Sequence, residues 1–262
     1  MYKGYNLTVD SSFKNEYYQF GLESIKSIKD EVETKIKSFS NKDGSLNGTA
    51  MTESWFPTFK CDVFISHSHG DEKLAISIAG WLYHEFNLTS FIDSCAWGYA
   101  DKLIKLIDDE FCVIKPYHPD KISYDYNLRN LSTSHVHMML TTALSSMIDN
   151  SECLFFLNTP NSIFPNDVVK LKSTLSPWIY SEIAISKLIR TKDLTEHRGL
   201  PKIAKSIFEK MEKLLITHDI DLSHLEELNV EDLLNWERTF KSNSLFRQLA
   251  GHDIKKALDY LY

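Results

Sequence analysis

The stretch CDVFISHSHGDE, residues 61–72, joins a short apolar run to a polar loop. The run VFIS at 63–66 is short, apolar and rich in β-branched residues, which predicts a buried strand. After the loop, EKLAISIAGWLYHEF at 72–86 repeats apolar residues at helical spacing and predicts a helix. A buried strand that passes through a polar loop into a helix is the usual beginning of an α/β unit.

The alternation of strand and helix continues through the middle of the chain. Further strands are predicted at TSFID (89–93) and ECLFFLN (152–158), and further helices at ADKLIKLIDDEF (100–111), VHMMLTTALSSMID (136–149) and SPWIYSEIAISKLIR (176–190). The last helix opens with Ser-Pro, a favourable N-cap and first-turn pair. A polar insert rich in Tyr and Asn lies at 115–134, within a long connection over 112–134. This order predicts parallel strands with helical crossovers, hence a flavodoxin-like α/β domain.

The segments on either side of this core are predicted to be mainly helical. Residues 12–39 repeat apolar positions at three and four, so residues 1–59 are interpreted as an N-terminal helical extension, linked by the polar stretch at 40–50. The core then spans 60–192. Residues 193–262 are predicted to be a mainly helical C-terminal region that completes the fold, with helices at 202–215 and 230–240 and a candidate strand within 213–222.

Composition excludes several classes of function. The net charge of -7 argues against unselective binding of nucleic acid, which needs a basic surface. No run approaches the ~18 apolar residues of a membrane span, and the first residues, MYKGYNLTVDSS, lack the features of a signal peptide. The cysteines are scattered without a C-x-x-C pair, which indicates reduced thiols. We therefore expect a cytoplasmic protein without nucleic-acid or membrane partners.

Three polar segments follow the three predicted strands of the core. These segments are HSHGD, DSCAWGY and NTPNS. In parallel α/β sheets, ligands bind in the crevice beyond the carboxyl ends of the strands. The sequence therefore predicts that the functional site lies at this edge of the sheet.

The first of these segments also permits a metal site. The series His67-x-His69-x-Asp71 is similar to the H-x-H-x-D-H motif of the metallo-β-lactamase fold, but Glu72 stands where that motif needs its third histidine. Other histidines, at positions 84, 118, 135 and 137, form no companion motif. We therefore expect no metal. A simpler interpretation is that one of the two loop histidines caps the helix that begins near residue 70.

Four segments in the right order resemble the Toll/interleukin-1 receptor (TIR) domain family, over about residues 60–190. DVFISHSHGDE resembles the first strand and its loop, and SFIDSCAWGYADKLIKLID resembles the second strand, the BB loop and the next helix. LTTALSSMIDNSECLFFLNT resembles the helix and strand before the catalytic helix. SPWIYSEI is similar to the motif [S/D]-x-W-x-x-x-E, with Trp178 and Glu182 at its Trp and Glu. The last two strands of the family have no clear counterpart after residue 190.

The resemblance implies a set of site residues. Glu182 would be the catalytic carboxylate, because an anion stabilises the oxocarbenium character that develops on a ribose when nicotinamide leaves. The residues expected to contact the substrate are Ser66, His67, Ser68, His69, Asp93, Trp97 and Trp178. The BB loop would lie between Asp93 and Trp97, and the Trp97 ring would stack on a base or anchor the loop. The alternative is that Glu182 is a solvated helix residue and Trp178 a core aromatic.

The function that the resemblance implies is NAD cleavage at the nicotinamide–ribose bond, by a NAD glycohydrolase or ADP-ribosyl cyclase of the bacterial anti-phage type. NAD is then the substrate and no cofactor is needed. The product is ADP-ribose or a derivative of it, including a cyclic signal that a downstream effector senses. The family also implies a homo-oligomer in which the BB loop of one protomer completes the site of the next. The alternative is a non-enzymatic module for TIR–TIR interaction in signalling.

Overall fold

A computed structural model describes residues 1–26, 36–58, 60–114, 122–165, 172–174, 176–192, 218–219, 221–250 and 256–262. The strands are β1 (Lys3–Thr8), β2 (Val63–Ser66), β3 (Ser90–Ile92), β4 (Val113–Ile114), β5 (Ser123–Tyr124), β6 (Cys153–Leu157), β7 (Phe164–Pro165), β8 (Lys172–Thr174), β9 (His218–Asp219) and β10 (Glu226–Asn229). The helices are α1 (Tyr18–Lys26), α2 (Gly48–Trp55), α3 (Glu72–Phe86), α4 (Ser94–Ile107), α5 (Tyr126–Asn150), α6 (Pro177–Leu188) and α7 (Val230–Ala250).

A parallel sheet of five strands forms the centre of the domain. Its order is β10-β1-β6-β2-β3, and each neighbouring pair is parallel. If β2 is numbered as the first strand, then β3, β2 and β6 lie side by side as strands 2, 1 and 3 of a flavodoxin-like sheet, and β1 and β10 follow as the fourth and fifth. The predicted flavodoxin-like α/β fold is confirmed.

Helices cover both faces of this sheet. On one face, Phe64 and Phe156 pack in a core with α2, α4, α5 and α6. On the other, Ile65 and Phe155 pack in a second core with α3 and α7, against which α1 also lies. Alternate residues of one strand therefore enter opposite cores, which explains why these strands are apolar throughout. Within the described residues, no helix is long and apolar enough to cross a membrane.

The first residues of the chain correct the prediction of a purely helical extension at 1–59. The segment KGYNLT forms β1, which pairs with β6 and β10 near the centre of the sheet. Tyr5 and Leu7 point into one core, while the buried Asn6 donates to both carboxylate oxygens of Glu227 at 2.8 and 2.9 Å. This segment therefore supplies the fourth strand of the sheet, and β10, after residue 190, supplies the fifth.

α1 lies within the helix predicted at 12–39, part of which is outside the described residues, whereas α2 begins at Gly48, inside the stretch predicted to be a polar link. α1 crosses α3 at two glycines. A Cβ atom on Gly21 would lie 2.0 Å from the Ile76 carbonyl oxygen, and one on Gly80 would lie 2.2 Å from that of Tyr17. Only glycine permits the two backbones to approach so closely.

Two other predicted boundaries change. The DSCAWGY segment, predicted to be a BB loop, is helical, because α4 begins at Ser94 directly after β3 and no proline interrupts it. The predicted insert at 115–134 is partly helical, since α5 begins at Tyr126, where the Asp125 side chain accepts the Leu128 N–H. The remainder of the connection includes the antiparallel pair β4–β5.

The other core elements agree with the sequence prediction. α3 spans 72–86 as predicted, and β2, β3, β6 and α6 lie where the pattern placed them. In the C-terminal region, the helix predicted at 230–240 is confirmed as the start of α7. The helix predicted at 202–215 lies outside the described residues. Of the candidate strand within 213–222, the structure describes β9, which pairs with β8 in a small antiparallel sheet.

Candidate functional site

The candidate site lies at the carboxyl edge of the sheet, at the point between β2 and β6 where the strand order reverses. The crossover from β2 to β3 uses α3 on one face, whereas the return from β3 to β6 uses α4 and α5 on the other. Neighbouring strands whose connections leave in opposite directions form the crevice in which α/β proteins bind ligands. The segments after β2, β3 and β6 meet at this edge, as predicted.

Glu182 reaches this edge from α6. The helix is started by Ser176, whose Oγ accepts the Ile179 N–H at 3.3 Å, and by Pro177 in the first turn. Glu182 is fully buried, and its Oε2 accepts a hydrogen bond of 2.6 Å from the Ser66 hydroxyl at the end of β2. The alternative that Glu182 is a solvated helix residue is therefore wrong.

Asp93, at the end of β3, lies against Glu182 and is also fully buried. The carboxyl groups of Asp93 and Glu182 lie close enough to affect each other's protonation, and we call them the carboxyl pair. Asp93 Oδ1 lies 2.5 Å from His67 Nδ1, and Asp93 Oδ2 accepts the His67 backbone N–H at 3.4 Å. The ends of β2, β3 and the helix α6 thus bring Ser66, His67, Asp93 and Glu182 into one cluster.

Burial controls the charge of this cluster. It raises the pKa of Glu182 well above the usual range, and the neighbouring Asp93 charge raises it further. Burial also raises the pKa of Asp93 well above its usual range. For His67, burial lowers the pKa to about 4, against the opposing effect of Glu182. Burial therefore keeps the imidazole neutral at pH 7 and favours the protonated form of the two carboxyl groups.

Hydrogen bonding in the cluster is incomplete. Glu182 Oε1 is buried and accepts no N–H or O–H bond within the described part of the chain. Such an atom is unfavourable in a fold, because buried polar atoms nearly always have partners. Strongly shifted pKa values combined with a missing hydrogen bond are typical of functional sites rather than of purely structural ones.

A second polar cluster lies at the same edge and is fully bonded. The buried Asp71 carboxylate accepts from the hydroxyls of Ser68 at 2.7 Å, Thr159 at 2.5 Å and Ser162 at 3.4 Å, and from the Asn161 amide at 2.9 Å. These bonds join the loop after β2 to the loop after β6. Sequence reasoning placed both loops at this edge but did not identify the contact, whose only local signal is the polar composition of the two loops.

The remaining predicted site residues lie apart from the carboxyl pair's hydrogen bonds. Ser68 is turned to Asp71, and His69 is exposed in a 3-10 turn. Trp178 is half-buried, with its ring edge-on to that of His137 at 5.3 Å, which agrees with the alternative of a core aromatic. Trp97 lies in the first turn of α4, and its side chain is outside the described part.

Two alternative roles were considered for His67 and His69, which are helix capping and metal binding. Neither loop histidine occupies a cap position, since Ser68 precedes the 3-10 turn and Asp71 precedes α3. Among the described residues, no group of three or more His, Cys, Asp or Glu side chains is arranged to hold a metal ion. The side chains that the described residues bring together at this edge are carboxyl, hydroxyl and imidazole groups.

The class of protein that these observations define is a doubly wound α/β domain with a buried acid cluster at the carboxyl edge of its sheet. Comparison with known proteins identifies no relative: no protein-family model, no curated protein and no solved structure matches the chain. The function must therefore be inferred from the site itself.

Proposed function

We propose that the protein is a TIR-type enzyme that cleaves NAD at the nicotinamide–ribose bond, with Glu182 as its catalytic carboxylate. The observation that carries this proposal is the position of Glu182, buried at the carboxyl edge of a parallel sheet and held by Ser66 beside Asp93. The flavodoxin-like strand order and the order of the four TIR-like sequence segments support it.

In the proposed reaction, the bond between the ribose carbon and nicotinamide breaks and its electron pair leaves with the nicotinamide. The ribose then carries oxocarbenium charge, which an ionised Glu182 would stabilise most strongly in a water-poor site. The Ser66 hydroxyl orients Glu182 through the 2.6 Å bond. Attack by water on the ribose carbon gives ADP-ribose and a proton, whereas attack by another atom of the same nucleotide gives a cyclic product.

The structure also sets a requirement on this mechanism. Glu182 is fully buried, so the groups that cover it must move before a substrate can reach the carboxylate. We propose that this opening accompanies substrate binding or self-association into a homo-oligomer. The expected setting is the bacterial cytoplasm, in defence against phage, with a downstream effector that senses the product.

The test is the release of nicotinamide from NAD by purified protein with Glu182 and with Glu182→Gln. The substitution preserves shape and removes the charge, so we expect turnover to fall on the order of a hundred-fold or more. Glu53→Gln, at an exposed position on α2, is the matched control and should keep wild-type turnover. Unchanged turnover in Glu182→Gln would exclude Glu182 as the catalytic group.

A non-enzymatic TIR interaction module is the second candidate. One observation favours it: Glu182 is fully buried and inaccessible to a substrate. This candidate predicts no nicotinamide release at any protein concentration. It also predicts that Glu182→Gln leaves self-association, measured by sedimentation, as it is in the wild type.

A further inference from the structure

The carboxyl pair has fewer donors than its four oxygens require. Glu182 Oε2 accepts from Ser66, and Asp93 Oδ2 accepts from the His67 backbone. Asp93 Oδ1 faces His67 Nδ1, but Glu182 Oε1 receives no N–H or O–H from the described residues. Two ionised carboxylates in contact would leave this oxygen unpaired and would repel each other in a buried site.

One proton between the two carboxyl groups resolves both problems. A protonated carboxyl becomes an O–H donor, so it can bond to the other carboxyl and satisfy an oxygen that the protein leaves open. The pair then carries one negative charge instead of two. Paired carboxyl groups in other enzymes share a proton for this reason.

We propose that Asp93 and Glu182 hold one proton between them, and that Asp93 thereby controls when Glu182 is ionised and able to act on a substrate. Asp93 is then a positioning residue, and this role goes beyond the BB-loop position that the sequence suggested. The catalytic part of the inference rests on the proposed function, whereas the shared proton stands on the geometry alone.

The charged and titratable groups in and around the pair come from four places: the end of β2, the beginning of α3, the end of β3 and α6. From the end of β2, His67 contacts Asp93 and favours the ionised form of Glu182 only when it is itself protonated. The loop before α3 adds Asp71 and Glu72, which act on His67. From α6 comes Glu182 itself, with Asp93 at the end of β3. Because the imidazole is neutral near pH 7, the negative Asp93 dominates and favours retention of the proton.

A consequence for the reaction follows. If the ionised Glu182 stabilises the ribose cation, turnover should rise with pH as the pair gives up its shared proton to solvent. The nicotinamide ring of NAD is itself cationic, so its approach should also favour loss of this proton. Removing the Asp93 charge should allow Glu182 to ionise at lower pH.

The first experiment needs no activity. Infrared spectroscopy detects the C=O stretch of a protonated carboxyl, and isotope labelling of Asp or Glu assigns it. We expect a protonated carboxyl in the wild type at pH 7, its ionisation at lower pH in Asp93→Asn than in the wild type, and unchanged titration in Asp43→Asn, a substitution of an exposed aspartate on the polar link. No protonated carboxyl in the labelled wild type would overturn the proposal, and this readout remains valid if a variant fails to fold.

The second experiment records nicotinamide release against pH for the wild type and Asp93→Asn. We expect the rise in turnover of the variant to occur at lower pH, by about one unit or more. A purely structural role of Asp93 would lower turnover at every pH without moving the rise, and that result would overturn its control of Glu182. A confirmed shared proton without any nicotinamide release from the wild type would instead refute the proposed function and leave the carboxyl pair established.

Discussion

Two buried acidic clusters lie at the same edge of the sheet, and they differ in how their oxygens are satisfied. Asp71 receives three hydroxyls and one amide, so its carboxylate is held by donors from two loops. The carboxyl pair of Asp93 and Glu182 receives too few donors and compensates by contact between the two acids. Complete bonding indicates a structural junction, and incomplete bonding indicates a site whose charge can change.

The largest expected effect on stability is at Asp71. In Asp71→Asn, one acceptor oxygen becomes an N–H₂ donor that faces the hydroxyls of Ser68 and Thr159, which are left without an acceptor. We expect a loss of about 2–4 kcal/mol in the free energy of unfolding. Chemical denaturation followed by circular dichroism measures it.

The control for this prediction is Asp43→Asn. Asp43 is exposed, and it accepts from the backbone and hydroxyl of Ser45 at 2.9 and 2.6 Å, so it has similar bonds without burial. Its substitution should change stability by no more than about 0.5 kcal/mol. A loss at Asp71 no greater than the loss at Asp43 would mean that the junction between the two loops does not stabilise the fold.

Some elements of the fold could be predicted from the sequence, and others could not. β2, α3 and β6 could be predicted because the spacing of apolar residues within each segment is that of a strand or a helix. β1 could not, because its short alternating pattern gains a partner only when Lys3 pairs with Cys153 far along the chain. α4 begins earlier than predicted, because the resemblance assigned its first turn to a loop although the segment contains no proline to prevent a helix.

The candidate site was predicted only in part, because local sequence does not record contacts between distant residues. Glu182 and Asp93 were both named as candidates, but in separate roles, since nothing in the sequence places residue 93 against residue 182. Their contact arises from the positions of α6 and β3 in the folded chain. The Asp71 cluster was missed because it joins two loops that are distant in sequence.

His67 provides the next test, because burial affects it in the direction opposite to the carboxyl pair. Its pKa is lowered from 6.5 to about 4 in the folded protein, so the unfolded chain binds more protons between these values. Stability should therefore fall as the pH decreases through this window, by at most about 3 kcal/mol. Urea unfolding from pH 7 to pH 4.5, compared between the wild type and His67→Gln, measures the contribution.

The comparison with His67→Gln isolates the contribution of the histidine to stability, because the wild type and the variant both keep the carboxyl pair. Loss of the pH-dependent difference in His67→Gln is the expected result. If wild type and variant lose stability in parallel from pH 7 to pH 4.5, the imidazole is not kept neutral by burial, and the two clusters differ less than the structure indicates.

Glu182→Gln should change stability at the other end of the pH scale. The folded-state pKa of Glu182 is raised, so its contribution is fully present below the usual carboxyl value of 4.5 and is lost as the pH rises through the folded value. The glutamine variant lacks this loss, and at alkaline pH we expect its stability to exceed that of the wild type by about 1 kcal/mol. Melting temperatures between pH 6 and pH 9 test the sign, with Glu53→Gln as the control.

A wild type that keeps constant stability over this range, parallel to Glu182→Gln, would show that Glu182 carries its charge without penalty. The carboxyl pair would then resemble Asp71 in being satisfied, and the distinction between the two clusters would disappear.

The smallest effect is expected for Ser66→Ala, and its size depends on the state of Glu182. With the proton shared, the 2.6 Å bond from Ser66 reaches a carboxyl that is only partly charged, and its loss should destabilise the fold by about 0.5–1.5 kcal/mol. In Asp93→Asn, Glu182 ionises at lower pH and carries more of the charge at pH 7, and a hydrogen bond to an ionised acceptor is roughly twice as strong. Ser66→Ala should then be about twice as destabilising in that background. A double-mutant cycle at pH 7 gives the coupling energy, and a cycle that closes with no coupling would show that Asp93 does not govern the charge that Ser66 contacts.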